Sequence, residues 1–377
     1  MAQRLRLVLP IPHLGGGGAE QVTALLARGL SPEKYDLHLV LVTQRGADLE
    51  PLPPWVTVHA LGAGRVRGGA LPLLRLIRRL NPDVILSGMA HLNFLVLLLA
   101  PFFPRDTRIL VRQNSTVSQA LEFGGLPFYT RPLYRLLYRR ADRVICQSHS
   151  MAADLAAELR LDKERIAVLP NPVDLDGIRR ANGEPAAWSG EGPHLLAVGR
   201  LSPEKGFDLL LRAFSMVREE LPGAALTLLG AGREEGSLKA LCRSLGIETA
   251  VDLPGYVDRP YSYYPGATLF VLSSRHEGMP NALLEAAAAG LPIVAVPCSG
   301  GVVEFLRTQP GAWLGRAITT EALASSLLEA LRDLRPGQRF ERAFWDGCEA
   351  ASPTSALLST SNPKSGADAE LEPFERV

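Results

Sequence analysis

The chain has 377 residues, of which 47% are hydrophobic and 21% are charged, and its formal net charge is +1. This length predicts about two domains, and the composition excludes an intrinsically disordered protein. Residues 1–180 carry 23 Lys and Arg against 15 Asp and Glu, a balance of +8, whereas residues 181–377 carry 17 against 24, a balance of −7. The basic first half suggests that this half meets an anionic partner.

The first half of the chain alternates short apolar runs with helical patterns. Such strands, separated by helices of about ten residues, predict a parallel sheet with crossover helices. The most apolar stretch, residues 92–104, is shorter than the roughly 20 residues that span a bilayer, so we expect a buried or interfacial helix there. Predicted strands cover residues 4–10, 37–42, 56–61, 84–86, 109–112 and 144–146, and predicted helices cover 20–29, 71–80, 92–99, 131–140 and 148–159.

Loop-type sequence between residues 171 and 193 marks a domain boundary, after which the alternation starts again. The fold class is therefore α/β, with two Rossmann-like, doubly wound domains at residues 1–180 and 190–345. Ligands bind at the carboxyl ends of the strands in such sheets, so we expect the two domains to face each other across a cleft. A tail rich in Ser, Pro and Ala, at residues 350–377, is predicted to be poorly ordered. Second-half strands are predicted at 195–198, 226–229, 251–253, 268–272 and 293–296, with helices at 207–218, 236–245, 281–289 and 321–334.

The four cysteines indicate a reducing compartment. They lie at Cys146, Cys242, Cys298 and Cys348, and no C-x-x-C pair exists among them. This spacing argues against a zinc site or a disulfide framework, and the N-terminus lacks the apolar core and cleavage site of a signal peptide. We therefore expect a cytoplasmic protein.

Two loops that follow predicted strands carry residues suited to phosphate. The run GGGGAE, from Gly15 to Glu20, lets the backbone approach a ligand closely, although a flexible turn explains it equally well. It does not match G-x-G-x-x-G, which argues against a nicotinamide or flavin cofactor. In GRLSPEKG, Arg200 and Lys205 suit two neighbouring phosphates, and a solvated loop is the alternative.

Two carboxylates flank the start of the predicted helix at 281–289. Glu277 lies on the loop before this helix, and Glu285 lies about one turn inside it, so both can reach a ligand at that end. Glu285 stands in the apolar run LLEAAAAG, where an unpaired charge would be costly. We expect Pro280 in the first turn of this helix, where the backbone N–H that proline lacks would form no helical hydrogen bond.

These motifs together resemble glycosyltransferase family 4. The resemblance rests on GRLSPEKG, HEGMPNALLEA and the Gly-rich loop, with LPNPVD at 169–174 and CSGGVVE at 298–304, and it covers about residues 1–335. It implies a retaining enzyme with the GT-B fold that needs no metal and no other cofactor. The absence of a convincing D-x-D motif agrees with that expectation, since the nearest match is DLD at 174–176 in the linker.

The resemblance also assigns roles. Arg200 and Lys205, beside Gly199, would hold the diphosphate of a nucleotide-sugar donor and neutralise the leaving group. Glu277 would contact the hydroxyls of the transferred sugar, and Glu285 would accept hydrogen bonds from the ribose. Further contacts to the donor are implied for Gly16, Gly17, Gly278, Met279, Pro280 and Asn281.

One loop departs from the family pattern. Family members often carry a His after the fifth strand of the first domain, where this chain reads Gln113 and Asn114. We expect Asn114 to take that place, giving hydrogen bonds without titration. His91, on the loop after the preceding strand, is the substitute candidate, with a structural histidine as the alternative.

A basic helix marks the expected acceptor side. Arg131, Arg135 and Arg139 share one face of the predicted helix, Arg140 extends the charge, and aromatic residues lie between them. This helix could bind an anionic membrane surface or the phosphates of a lipid-linked acceptor, and an ordinary charged outer face is the alternative. Nucleic acid is disfavoured because the second half is acidic and no RNA-binding motif is present.

The sequence therefore predicts a cytoplasmic glycosyltransferase, peripheral at the inner face of the cytoplasmic membrane. It would move a sugar from a nucleoside diphosphate, with UDP favoured, to a lipid-linked glycan or a surface polysaccharide precursor. The rival hypotheses are a non-catalytic GT-B protein that binds nucleotide sugars and a GT-B epimerase or phosphorylase.

Overall fold

The computed structural model describes residues 4–15, 17–43, 52–118, 130–181 and 192–341. Contacts between Cα atoms divide the chain into two compact units. Of these described residues, those up to 113 and those at 132–145 belong to the first unit, and the others belong to the second. The predicted tail and residues 182–191 of the predicted linker lie outside the described residues, so the predicted domain boundaries stay predictions.

The first sheet is parallel throughout its registered pairs and is strongly apolar. Its central strands are buried along most of their length, as expected when helices cover both faces of a parallel sheet. The strands run in the order β3-β2-β1-β4-β5-β6-β7, and the boundary between the two units crosses β6. They are β1 (Leu5–Ile11), β2 (Tyr35–Thr43), β3 (Thr57–Ala63), β4 (Val84–Ser87), β5 (Arg108–Arg112), β6 (Arg143–Cys146) and β7 (Ile166–Val168).

Helices connect most of these strands, as expected for parallel strands, which need crossover connections. The helix Ala90–Leu99 covers most of the apolar stretch, and a single 3-10 turn, Ala100–Phe102, continues it. No helix of the described ranges is both long and apolar enough to cross a bilayer. The helices are α1 (Gly18–Gly29), α2 (Ala70–Leu80), α3 (Ala90–Leu99), α4 (Thr130–Tyr138), α5 (His149–Leu159) and α6 (Leu175–Ala181).

The second sheet belongs to the second unit and is also parallel, with the order β10-β9-β8-β11-β12-β13. The order reverses between β8 and β11, so the loops after these two strands lie next to each other. One continuous apolar core packs beneath it. The strands are β8 (His194–Val198), β9 (Ala225–Leu229), β10 (Val251–Gly255), β11 (Leu269–Leu272), β12 (Ile293–Ala295) and β13 (Ala312–Leu314), and the helices are α7 (Phe207–Glu220), α8 (Glu235–Ser244), α9 (Asn281–Ala288), α10 (Gly300–Arg307) and α11 (Thr320–Asp333).

The predicted fold class, two parallel Rossmann-like sheets, is confirmed. The predicted loop between residues 171 and 193 is wrong in part, because α6 forms there with Asp174 accepting a hydrogen bond from the Gly177 N–H. Helix α10 was not predicted, since its first two residues are glycines that weaken the helical signal. Ser299 caps it by accepting from the Val302 N–H at 3.2 Å.

Candidate functional site

Two loops of the second unit bring the predicted donor-binding residues together. The lysine loop, residues 199–206, follows β8, and the glutamate loop, residues 273–280, follows β11. Both strands are parallel neighbours, so their carboxyl ends meet at one edge of the sheet. This edge is where doubly wound sheets bind ligands.

Gly206 makes the close approach of the two loops possible. Its φ is +61°, a left-handed conformation that L side chains rarely adopt. A Cβ atom on Gly206 would also collide with the main-chain carbonyl oxygen of Ser273. The Ser273 hydroxyl in turn donates to the Lys205 carbonyl at 2.9 Å, so the loops are joined directly behind the Lys205 side chain.

Arg275 anchors the glutamate loop from the other side. Its guanidinium forms two 2.8 Å bonds to the Asp208 carboxylate, in the first turn of α7, and a third bond to the Pro203 carbonyl at 2.9 Å. Its own N–H donates to the Glu204 carbonyl at 2.7 Å. The hydrogen bond from Arg275 holds the pKa of Asp208 below its usual range, against the opposing effect of burial.

Lys205 and Glu277 form an ion pair at the centre of this arrangement. Both side chains are largely buried, with 23% and 14% of their surfaces exposed. Ser274 also donates to Glu277, at 2.9 Å, so two donors orient one carboxylate oxygen. The structure thus brings together two residues that are 72 positions apart and that two separate motifs had predicted to contact the donor.

Arg200 differs from Lys205 in being exposed. Within the described ranges its guanidinium forms no ion pair and no side-chain hydrogen bond. It follows Gly199, whose N–H donates to the Leu229 carbonyl at 2.9 Å and so continues the sheet. The two predicted phosphate ligands therefore stand in different states, one paired and one facing solvent.

The start of α9 presents free donors. Among the described residues, the backbone N–H groups of Gly278 and Met279 find no acceptor. Pro280 is the N-cap of α9, with φ −68° and ψ 128°, rather than a first-turn residue as predicted. A proline at the N-cap removes only a donor that the helix does not use, and the positive end of the helix dipole remains available to an anion.

Glu285 is the fifth residue of α9 and is only partly exposed. The hydroxyl of Tyr264, a fully buried residue, donates to its carboxylate at 3.0 Å. Burial raises the pKa of Glu285 to about 7; the Tyr264 hydrogen bond opposes that rise, and the nearby negative charge of Asp174 adds to it. Within the described residues this carboxylate has no cationic partner.

Asn114 lies against the glutamate loop within the second unit. A Cβ atom on Gly278 would collide with the Asn114 carbonyl, so only glycine fits there. The side chain of Gln147 donates to the Asn114 Oδ1 at 3.2 Å. At the start of α9, the Asn171 side chain donates to the Asn281 Oδ1 at 2.6 Å. This bond attaches the LPNPVD segment to the first residue of the helix.

His91 and Gly17 belong to the first unit, and Gly16 lies outside the described residues. Gly17 is the N-cap of α1, where a Cβ atom would collide with the Glu20 carboxylate. His91 lies in the first turn of α3 rather than on a loop, and burial lowers its pKa. Glu20 and His13 act electrostatically on His91, and their side chains lie 3.9 Å apart.

Sequence reasoning missed His13, Glu20, Tyr264 and Asp174. Glu285 was identified because it stands in an apolar run, whereas Glu20, which is buried in the first turn of α1, stands between Ala19 and Gln21 and gave no such signal. The role of Tyr264 could not be found this way, because nothing in the sequence pairs it with a residue 21 positions away.

The basic helix α4 carries both cations and exposed leucines. Leu133 and Leu136 are 42% and 58% exposed, which is high for such residues on a packed helix. Arg131 pairs with Glu158 at 2.9 Å, and Arg140 donates to the Leu97 carbonyl at 3.1 Å. Helix α4 ends at Tyr138, so the predicted face shared by Arg131, Arg135 and Arg139 is helical only in its first two members.

No group of three or more His, Cys, Asp or Glu side chains in the described part of the chain could hold a metal ion. The expected independence of metals and cofactors concerns the reaction and stays a prediction.

The two halves of the chain match two family models. Residues 192–333 match the model described as "Glycosyl transferases group 1", and residues 16–176 match the model described as "Glycosyltransferase Family 4". A similar curated protein is the N-acetylgalactosamine-N,N'-diacetylbacillosaminyl-diphospho-undecaprenol 4-alpha-N-acetylgalactosaminyltransferase of Campylobacter jejuni. The two proteins are 29% identical over 314 residues, which cover 80% of this chain and 83% of the relative.

Solved structures show the same fold. Sucrose-phosphate synthase from Thermosynechococcus elongatus superposes with a TM-score of 0.75 at 18% identity, covering 88% of this chain and 90% of that one. HepE from Anabaena, solved with UDP, superposes with a TM-score of 0.68 at 17% identity, covering 95% of each chain. At these identities the likeness concerns the fold alone.

The contact between Gly206 and Ser273 predicts unequal effects of two glycine substitutions. Gly246 has a φ of +66°, close to that of Gly206, but a Cβ atom there would meet nothing within 4 Å. Gly246→Ala should therefore show only the cost of the left-handed backbone, roughly 1–2 kcal/mol. Gly206→Ala should cost more, because the methyl group also forces the two loops apart.

Thermal unfolding of both variants measures this difference. The midpoint of Gly206→Ala should fall at least twice as far below wild type as that of Gly246→Ala. Equal losses would mean that the loops are not in contact at this point.

Proposed function

We propose that this chain, which belongs to the group 1 and family 4 glycosyltransferases, transfers a sugar from a UDP-sugar to a lipid-linked glycan or a surface polysaccharide precursor. The observation that carries the proposal is the meeting of Lys205, Glu277 and the free N–H groups at the start of α9. One edge of the sheet thus holds donors for phosphate oxygens beside acceptors for sugar hydroxyls. A nucleotide sugar needs both kinds of contact within one short distance.

The diphosphate of the donor would lie between the lysine loop and the start of α9. Arg200 can form a bidentate contact with phosphate oxygens, and Lys205 supplies a compact charge. The N–H groups of Gly278 and Met279 add donors at the positive end of a helix dipole. These groups would stabilise the charge that develops on the leaving diphosphate, so the proposal includes no metal ion.

The two carboxylates would bind the two sugars of the donor. Glu277, oriented by Ser274 and Lys205, would accept hydrogen bonds from hydroxyls of the transferred sugar. Glu285, one turn inside α9, would accept them from the ribose. Arrival of the diphosphate gives Lys205 a second anion, so its ammonium would be shared between Glu277 and the phosphate.

We further propose that transfer occurs with retention at the anomeric carbon. The bond between this carbon and the diphosphate oxygen breaks, and the acceptor oxygen bonds to the same face of the sugar. The acceptor hydroxyl proton passes to the leaving diphosphate oxygen. Asn114 would supply a hydrogen bond near the reacting sugar without titrating, and His91 is the second candidate for that contact.

Two of the similar proteins support the choice of substrates. HepE was solved with UDP, which supports UDP as the nucleotide. The name of the Campylobacter relative specifies an acceptor linked to diphospho-undecaprenol, which supports a lipid-linked acceptor for this chain. Other relatives are named for lipopolysaccharide core biosynthesis and for amylovoran biosynthesis, which supports a product at the cell surface.

A lipid-linked acceptor favours docking of α4 on the inner face of the cytoplasmic membrane. Leu133 and Leu136 would enter the interface, and Arg131, Arg139 and Arg140 would face anionic lipid headgroups. Each cation near such a surface contributes about 1 kcal/mol. Arg135 lies on the same helix and adds to this charge.

The proposed donor predicts which nucleotide stabilises the protein. A ligand at 100 times its dissociation constant adds about 2.7 kcal/mol to the free energy of unfolding, enough to raise the midpoint by a few degrees. UDP should raise the thermal midpoint more than GDP or ADP, with and without EDTA. A larger shift with GDP or ADP would contradict UDP as the nucleotide, and no shift with any of them would contradict the donor site.

The proposed docking helix predicts binding to vesicles. Wild type should float with phosphatidylcholine vesicles that contain 30% phosphatidylglycerol but not with pure phosphatidylcholine, and 0.5 M NaCl should release it. Leu136→Glu should reduce flotation at least fivefold, since it puts a negative charge among the headgroups.

Met216→Glu is the matched control for this experiment. Met216 is 38% exposed on α7, which is not part of the proposed docking helix, and should tolerate the same change without loss of flotation. Equal flotation of wild type and Leu136→Glu would contradict docking through α4.

A further inference from the structure

Two residues outside the proposed donor contacts control the environment of Glu285. Tyr264 follows the 3-10 helix Pro260–Tyr263 and is completely buried. Its hydroxyl lies 3.0 Å from the Glu285 Oε2. An ionised carboxylate has no proton to donate, so Tyr264 is the donor in this bond and stabilises the charged form of Glu285.

Asp174 acts on Glu285 in the opposite direction. It precedes α6, and its Oδ1 accepts from the Gly177 N–H at 2.8 Å, which fixes the orientation of the carboxylate. Asn171, three residues earlier, donates to the Asn281 Oδ1 and holds this segment on the first residue of α9. Asp174 is therefore a fixed negative charge near a second carboxylate, and it disfavours ionisation of Glu285.

The remaining groups near Glu285 do not change this balance. Tyr261, in the 3-10 helix, is buried, and burial keeps it neutral by raising its pKa. The positive charge of Arg259 lowers the pKa of Tyr261, and the negative charge of Asp258 raises it. No Lys or Arg of the described ranges forms an ion pair with Glu285. With its pKa raised to about 7 by burial, this carboxylate changes protonation near neutral pH.

We propose that Tyr264 and Asp174 are opposing positioning residues for Glu285, and that through them the affinity of the site for its nucleotide donor changes across neutral pH. The proposal rests on the proposed function, in which Glu285 receives the ribose hydroxyls. An ionised Glu285 accepts hydrogen bonds from both hydroxyls, and these charge-assisted bonds are the stronger kind. Protonation of Glu285 removes its negative charge and turns one of its oxygens into a hydrogen-bond donor. The nucleotide sugar therefore binds less tightly at lower pH.

The first arm of the test follows Glu285 itself, without any nucleotide. The carboxyl carbon of Glu285 is titrated by NMR in protein labelled with 13C-glutamate, and Glu285→Gln assigns the signal. The wild-type midpoint should lie near 7. Tyr264→Phe should raise it and Asp174→Asn should lower it, each by about one pH unit.

The variants are chosen to preserve structure. Phenylalanine keeps the buried ring of Tyr264, and asparagine keeps the helix-capping oxygen of Asp174. Tyr261→Phe is the matched control, because it removes a hydroxyl from the 3-10 helix just before Tyr264, and this hydroxyl makes no hydrogen bond to Glu285. It should leave the midpoint within about 0.2 units of wild type. A midpoint near 4, shifts in one direction only, or a shift in Tyr261→Phe as large as in Tyr264→Phe would overturn the positioning roles.

The second arm measures the affinity for UDP-glucose between pH 5.5 and 8.5 by calorimetry. This probe is a diphosphate diester and lacks the second phosphate ionisation near pH 6, so its own charge stays constant. Affinity should fall up to tenfold per pH unit below the Glu285 midpoint, and the fall should begin at higher pH in Tyr264→Phe and at lower pH in Asp174→Asn.

The two arms separate the two hypotheses. If the NMR midpoints move as expected while the affinity profiles of the three proteins coincide, or UDP-glucose does not bind, then Glu285 does not receive the ribose. That result overturns the link to donor affinity together with this part of the proposed function. If the NMR midpoints do not move, the positioning roles fail whatever the binding profile shows.

Discussion

The contact between the lysine loop and the glutamate loop is the constraint on which the rest of the site depends. The parallel sheet brings the ends of β8 and β11 to one edge, but the close approach needs Gly206, where no side chain fits. The bidentate ion pair between Arg275 and Asp208 then fixes the glutamate loop to α7. As a result, the ammonium of Lys205 meets the carboxylate of Glu277 at the start of α9.

The charged side chains at this edge of the second sheet contribute little to the stability of the fold. An ion pair that is mostly removed from water, such as Lys205 with Glu277, returns little of its desolvation cost. Glu285 gains even less, because burial keeps this carboxyl neutral up to about pH 7 and, among the described residues, its side chain forms a single hydrogen bond, with Tyr264. A ligand that carries two phosphates and several hydroxyls would use all three groups. We therefore propose that binding of such a ligand, rather than stability, is the reason for these residues.

Much of this arrangement could be predicted from the sequence. Apolar runs of four to seven residues predicted most strands, and the Glu277–Glu285 spacing correctly placed one carboxylate before α9 and the other inside it. The start of the helix predicted at 148–159 was also confirmed, since α5 begins at His149 and the Ser148 hydroxyl caps it by accepting from the Met151 N–H. These features are local, so a single stretch of chain determines them.

Features that depend on distant contacts could not be predicted in the same way. Helix α6 forms in a stretch with turn-type composition because Asp174 caps it. Strands β7 and β13 were not predicted; each is the edge strand of its sheet and is only half buried, so its pairing depends on the neighbouring strand rather than on its own sequence. The Lys205–Glu277 pair and the Tyr264–Glu285 hydrogen bond join residues whose proximity follows only from the strand order of the sheet.

The central claim is that the two loops form one diphosphate site, and calorimetric titration with UDP tests it most directly. Lys239, on α8, is the matched control because it is half exposed and pairs with Glu235 on its own helix. Lys205→Ala should weaken UDP binding by about 10- to 100-fold, the loss expected when one charged hydrogen bond of about 1.5–3 kcal/mol is removed. Lys239→Ala should stay within about twofold of wild type. Equal affinities of wild type and Lys205→Ala, or no binding of UDP to wild type, would contradict the account.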